Sequence, residues 1–281
     1  MTQPAPAART LVLHHDDLGG SHGANMAFVE LFDAGVVTSG TVMVPCPWFP
    51  EIAGIARQRP DLDLGVHLTL NSEFPAFRWR PLTGVSDNGL TDKDGFFWRR
   101  VADTRQHADP KAVETELRAQ IETALAAGID ATHLDAHMGC AWQPEFIDIF
   151  EKLGVDYALP IGLTRDVARM APPDYDFAPI FERLMARRNP DFQTYIVTAF
   201  GDLAPTDQVY EDIHDAITPG VNWSAFHFTS PGDFELFSDD APTRLAEYAL
   251  FRSDRIKPMQ EKLGITLVGM RGYRDAMRAK G

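Results

Sequence analysis

Starting at Thr10, short β-rich runs alternate with stretches of helical periodicity, and this rhythm restricts the chain to folds built from parallel strands and crossover helices. The run "TLVL" (10–13) leads into a glycine-bearing corner and then "ANMAFVELFDAG", whose apolar residues recur at helical spacing until Gly35 stops them. "VVTSGTVMV" and "LDLGVHLTL" read as the second and third strands, on either side of a helix at "FPEIAGIARQRP". Later strands are predicted at "ATHLDAH", near "VDYALPI", and at "FQTYIVTAF", "VNWSAFHFTS" and "ITLVGM". Helices are predicted at about 110–127 and 144–153, in "APIFERLMARR" and "TDQVYEDIHDAI", and around "RLAEYALFRSDRIKPMQEKLG", where Pro258 is expected to interrupt the helix. About seven to eight such units favour an α/β fold of the (β/α) barrel type, complete or incomplete, over an open doubly wound sheet.

A chain of 281 residues with 44% hydrophobic content suffices for one barrel domain over residues 10–281, and residues 1–9 read as a short disordered leader. The stretch at about 72–108 has no regular period but contains Trp79, Phe96, Phe97 and Trp98. Its aromatic content predicts a packed lid loop rather than a disordered linker. Forty acidic against 26 basic residues give a formal charge of −14, a field that repels nucleic acid and anionic membrane surfaces and leaves small neutral or cationic molecules as easier partners. No stretch approaches the roughly 20 apolar residues of a membrane span. Cys46 and Cys140 form neither a metal knuckle nor a disulfide framework, which suits a reducing compartment, and a cytoplasmic location is expected.

Chemistry-bearing residues fall at three predicted strand ends: "LHHDD" with Asp16 and Asp17, "GVHLTL" with His67, and "THLDAH" with His133, Asp135 and His137. In parallel α/β folds these ends share one face, so a carboxylate and imidazoles remote in sequence converge there. Such a set can hold a divalent ion and leave positions for water and substrate. Adjacent strand residues point to opposite faces, so Asp16 and Asp17 are expected to do different jobs, one as ligand and one as base. Asp135 is placed to orient a histidine from behind, and it serves equally well as a strand-end cap. His15 is a further candidate for the pocket wall, His214 reads as solvated, and Trp79, Trp98 and Trp142 offer faces for sugar rings or for plain packing.

The ordered segments "HHDDLGGSHGANMAFVELFDAGVVTSGTVMVPCPWFPE", "DLGVHLTLNSEFP" and "THLDAHMGCAWQPEFIDIF" resemble the successive motifs of the YdjC-like carbohydrate deacetylases, a family that includes chitooligosaccharide deacetylase and the HpnK proteins. The similarity runs from about residue 10 to 155 and resumes at "WSAFHFTSPGDFE" and "LVGMRGYRDAM". It implies a metal-dependent barrel enzyme that removes acetyl groups, by hydrolysis of linear amides, from N-acetylated sugars. It also implies Asp16 as catalytic base, Asp17, His67 and His137 as metal ligands, and His227 as a downstream catalytic histidine. The resemblance leans to Mg²⁺, whereas histidine ligands by themselves suit Zn²⁺ or another transition metal.

The chain departs from the family pattern in places. His14-His15 stand where the family has Asn-Ala, Met138-Gly139-Cys140 replace positions that often hold further histidines, and Phe228 replaces a proline after His227. Pro160 matches a frequent arginine, with Arg165 the nearest replacement. Two other readings fit the residues: a different barrel enzyme with a two-histidine, one-carboxylate site, and a sugar-binding relative without activity. A glycosidase fits less well, because Asp16 and Asp17 are neighbours rather than carboxylates facing each other across about 5–10 Å. The expected partner is a small carbohydrate substrate, with no nucleic acid or membrane; a homodimer is left open.

Overall fold

The structure is a computed structural model that describes residues 8–167, 172, 175–198 and 207–279. Strands β1 (Arg9–Leu18), β2 (Ser39–Val42), β3 (Leu64–Leu68), β4 (Leu134–Ala136), β5 (Phe192–Val197) and β6 (Gly220–Phe226) form one sheet in the order β4-β3-β2-β1-β6-β5. A short β7 (Ile265–Leu267) pairs beside Arg9–Leu11 of β1, and every pairing is parallel. The sheet curls into an incomplete barrel. Between β4 and β5, among the described residues, two isolated bridges, Leu134 to Ile161 and Thr164 to Phe192, span the remaining gap.

Side-chain alternation along β1 sets the layers. Leu11 and Leu13 join the main apolar core under the helices, while Val12 packs inside the barrel with Phe192, Trp223 and Met270. His14 also turns inward and lies over Trp223, 4.5 Å between ring centroids. The barrel interior above Trp223 is therefore polar. It is kept narrow by Gly65, where a Cβ would come within 2.6 Å of the His133 carbonyl oxygen and 2.7 Å of its ring. Helix α1 (His22–Asp33) begins at Ser21, whose side chain accepts the Ala24 N–H, and Asn25 accepts the Gly19 N–H at 2.7 Å, fixing the corner after β1.

The other helices are α2 (Phe49–Gln58), α3 (Val101–His107), α4 (Pro110–Ala126), α5 (Ile147–Asp156), α6 (Ala178–Ala186), α7 (Asp207–Asp215), α8 (Ala241–Phe251), α9 (Ile256–Lys262) and α10 (Arg271–Arg278). Four sequence expectations need correction. No strand forms at "VDYALPI": α5 runs on to Asp156, Ala158 takes φ +49°, and Pro160 has no N–H to give a ladder. Pro258 does not break a helix but sits in the first turn of α9, where a missing N–H costs nothing; the break falls at 252–255. The aperiodic stretch after β3 contains a helix, α3. His214 is fully buried, its Nδ1 2.6 Å from the Tyr210 carbonyl oxygen, rather than solvated.

Residues 1–7 of the expected leader lie outside the described residues, and Arg9 already opens β1. The stretch at 72–108 is tied down from both ends. Trp79 Nε1 donates to the Asn71 carbonyl at 2.8 Å, and the buried Glu116 of α4 accepts the N–H groups of Leu82 and Thr83 at 3.1 and 2.9 Å. Among the described residues no helix is long and apolar enough to cross a membrane, and both cysteines are free and buried.

Candidate active site and metal centre

The carboxyl end of β1 carries two consecutive aspartates into one pocket. Strict alternation predicts opposite faces for Asp16 and Asp17, and the structure departs from it. Asp17 takes φ +64°, the β1–β2 register shifts between His15 and Leu18, and the Gly20 N–H closes a turn onto the Asp17 carbonyl at 3.0 Å. Aspartate tolerates this left-handed conformation better than most side chains. The consequence is that both carboxylates line a cavity of about 240 Å³ together with His67, Glu73, His137, Tyr195, His227 and Arg244.

Asp17 Oδ1 is the centre of the arrangement, 3.4 Å from His67 Nε2 and 3.1 Å from His137 Nδ1. Each ring is backed on its other nitrogen by a carboxylate: Asp135 Oδ1 lies 2.6 Å from His67 Nδ1, and Glu73 Oε2 lies 2.9 Å from His137 Nε2. Thr41 donates to Asp135 Oδ2 at 3.0 Å, so that carboxylate is itself held. Asp17, His67 and His137 each offer one donor atom within 4.8 Å of the others, and all are buried. His14, Asp16 and Asp135 form a second group by the same measure. In that group both nitrogens of His14 are engaged, by Asp16 Oδ1 at 2.6 Å and His133 Nε2 at 2.9 Å. The first group is the better candidate, since imidazoles backed by a carboxylate on one nitrogen, with the other directed at a shared carboxylate, are the usual arrangement around a bound metal.

Electrostatics separate the paired aspartates. Burial pushes the Asp17 carboxyl up, but hydrogen bonds with His137 and His67 and the charge of Arg244 outweigh it and hold the group well below the usual carboxylate range. Arg244 Nη1 donates to Asp17 Oδ2 at 2.8 Å. Burial dominates at Asp16, whose carboxyl is raised despite His67 and His14 nearby. Burial would lower His67, yet Asp135 and Asp16 raise it well above the ordinary histidine value, and Glu73 with Asp17 carries His137 up to about 9.

His227 follows β6 and reaches the same pocket, its Nε2 3.9 Å from Asp16 Oδ2 and 3.9 Å from Asp17 Oδ2. Burial, then Arg244, lowers it well below the ordinary histidine value. Its Nδ1 lies 2.8 Å from the Thr198 hydroxyl.

The remaining candidates lie elsewhere. His15 turns outward between Phe28 and Phe228, with its Nδ1 2.7 Å from the Asp16 carbonyl oxygen, and burial takes it down to about 3. His133 lies below the pocket against His14. Trp79 stands behind His137 at 6.2 Å between centroids, and Trp142 packs edge-on against Tyr195 at 5.4 Å. Arg165 is not brought to the pocket: its Nε pairs with Asp191 at 2.6 Å and its guanidinium covers Phe181. Sequence reasoning missed Glu73 and Arg244. Glu73 was within reach of it, six residues past His67 in the aperiodic stretch after β3, whereas Arg244 carries no local signal beyond opening a predicted helix.

Comparison with known proteins places this geometry in context. A family model described as YdjC-like protein matches residues 10–262. A carbohydrate deacetylase of Thermus thermophilus is 36% identical over 242 residues, covering 85% of this chain and 85% of its own. A carbohydrate deacetylase of Brevibacillus brevis is 38% identical over 151 residues, 54% of this chain and 58% of its own. In fold, the crystal structure of a candidate cellobiose-phosphate cleavage protein of Enterococcus faecalis superimposes with a TM-score of 0.77 at 22% identity, covering 95% of this chain and 99% of that one. The match over nearly the whole barrel, with the pocket residues inside it, shows that the chain belongs to the YdjC-like family.

Proposed function

We propose that the protein is a metal-dependent hydrolase that removes acetyl groups from N-acetylated sugars or oligosaccharides. The observation that carries the reading is Asp17 set between two carboxylate-backed imidazoles, with a second carboxylate, Asp16, and a third imidazole, His227, lining the same pocket. The names of the relatives, carbohydrate deacetylases, support the same chemistry. Asp17, His67 and His137 would hold a divalent ion, and their mixed oxygen and nitrogen donors suit Mg²⁺ by family likeness and Zn²⁺ or another transition ion by ligand type.

Such an ion, when bound, supplies Lewis acidity to the amide carbonyl and to a water molecule. Asp16 accepts the proton of the attacking water. Its Oδ1 is held by His14 at 2.6 Å, which leaves Oδ2 as the accepting atom. His227 Nε2 provides the proton that the nitrogen takes up as the C–N bond breaks, and Arg244 keeps Asp17 ionised and aimed. A neutral, wettable sugar suits a pocket with acidic walls better than an anionic substrate does.

Acetate release from a panel of N-acetylated mono- and oligosaccharides tests this, with protein stripped by chelator and then given Mg²⁺ or Zn²⁺. Release that depends on the added ion is expected. Metal binding and sugar binding without any acetate would favour the non-catalytic alternative.

A further inference from the structure

Helix α8 sends a second charged side chain inward three residues after Arg244, on the same helix face: Glu247, which is fully buried. Glu247 Oε2 accepts the Thr198 hydroxyl at 2.9 Å and the His227 backbone N–H at 3.1 Å, and its Oε1 accepts the Tyr210 hydroxyl. Thr198 Oγ1 in turn lies 2.8 Å from His227 Nδ1 and accepts the same backbone N–H at 3.0 Å. A single hydroxyl thus stands between a buried carboxyl and the imidazole whose far nitrogen faces the pocket.

A threonine hydroxyl has one proton to give. While Glu247 is ionised, that proton points to its carboxylate, so His227 Nδ1 must donate to Thr198 and Nε2 is bare. When Glu247 is protonated, its own O–H donates to Thr198, the threonine proton turns to Nδ1, and Nε2 carries the hydrogen. We propose that Glu247, acting through Thr198, is a positioning residue that decides which nitrogen of His227 bears the proton, and that it is the source of the proton delivered at Nε2. The step balances: Glu247 loses a proton to Thr198, Thr198 passes its own to Nδ1, Nε2 gives one to the departing nitrogen, and the C–N electron pair stays on that nitrogen.

Among the described residues, the titratable and charged groups facing Glu247 include Tyr210 from α7, His227 from the end of β6 and Arg244 from its own helix. Burial raises the Glu247 carboxyl to about 7, which leaves both states populated near neutral pH. The inference rests on the deacetylase reading only for its kinetic consequence; the tautomer itself is a property of the folded chain.

The test combines ¹⁵N NMR of the His227 ring with acetate-release kinetics, both on full-length protein with Mg²⁺, for wild type, Glu247→Gln, Thr198→Val and Thr198→Ser. In the wild type, His227 should pass from the Nε2–H to the Nδ1–H tautomer as pH rises through about 7, without gaining charge. Glu247→Gln and Thr198→Val should each abolish that passage and lower kcat by about tenfold or more, with KM within about twofold and the limb near neutral pH gone. Thr198→Ser keeps the hydroxyl and should restore both. A wild-type tautomer constant from pH 6 to 8, or one that still switches in Thr198→Val, overturns the proposal whether or not acetate is released. Absent acetate release with an intact tautomer switch would instead count against the deacetylase reading alone.

Discussion

Glu73 Oε2 lies 2.9 Å from His137 Nε2, on the side of the ring remote from Asp17, and so repeats for His137 what Asp135 does for His67 at 2.6 Å. The two carboxylates fix both rings with their inner nitrogens toward Asp17. Replacing either, as Glu73→Gln or Asp135→Asn, should weaken divalent-ion affinity by about 10- to 100-fold while leaving the three proposed ligands in place. Isothermal titration with Mg²⁺ and Zn²⁺ measures this, and unchanged affinity in both variants would mean that the ion binds elsewhere.

Arg244 sits 2.8 Å from Asp17 Oδ2 and is almost entirely buried. Arg244→Met removes the guanidinium and leaves the buried Asp17 carboxylate with His67 and His137 as its remaining partners. Breaking one side of a buried pair costs about 3–5 kcal/mol, so the ion-free variant should unfold well below wild type. Added divalent ion should recover part of that loss, because it restores positive charge beside Asp17. Thermal melts with and without Mg²⁺ check this, and an equal loss under both conditions would contradict a metal at Asp17.

Stability should also depend on pH through Glu247. Its carboxyl is raised by burial from 4.5 to about 7 in the fold, so the folded state binds the proton more tightly than the unfolded chain. The sign follows from linkage: this contribution is fully present below about 4.5 and is lost as pH rises through about 7, amounting to about 3 kcal/mol. Glu247→Gln should flatten the wild-type decline in unfolding free energy between those two pH values. Denaturant titrations across that range would show the same slope in both proteins if Glu247 ionised freely in the fold.

The strand–helix rhythm made the barrel and three of its strand ends readable, because buried parallel strands leave apolar runs that survive inspection. The segment at 155–161 misled because its apolar residues pack at a helix end, and Pro160 cannot complete a ladder. The convergence of Asp16, Asp17, His67 and His137 was legible from spacing. What spacing could not show was that Asp17 adopts φ +64°, which puts both aspartates in one pocket where alternation predicts two faces. Glu73, Arg244 and Glu247 were illegible for a different reason. They come from the stretch after β3 and from α8, and a charged residue on an amphipathic helix gives no sign in the sequence of facing inward until the helix is docked.

The most direct measurement is metal content and acetate release on the same samples of wild type, Asp16→Asn and Asp17→Asn. Asparagine keeps the shape at each position and tolerates the left-handed backbone at residue 17. Asp16→Asn should retain its ion near the wild-type level and lose about 10²-fold or more in turnover, as removal of a general base does. Asp17→Asn should lose the ion and recover part of its activity in excess metal. If Asp16→Asn loses the ion while Asp17→Asn keeps it, the two roles are reversed; if both variants keep ion and activity, the pocket at the end of β1 is not the site of hydrolysis.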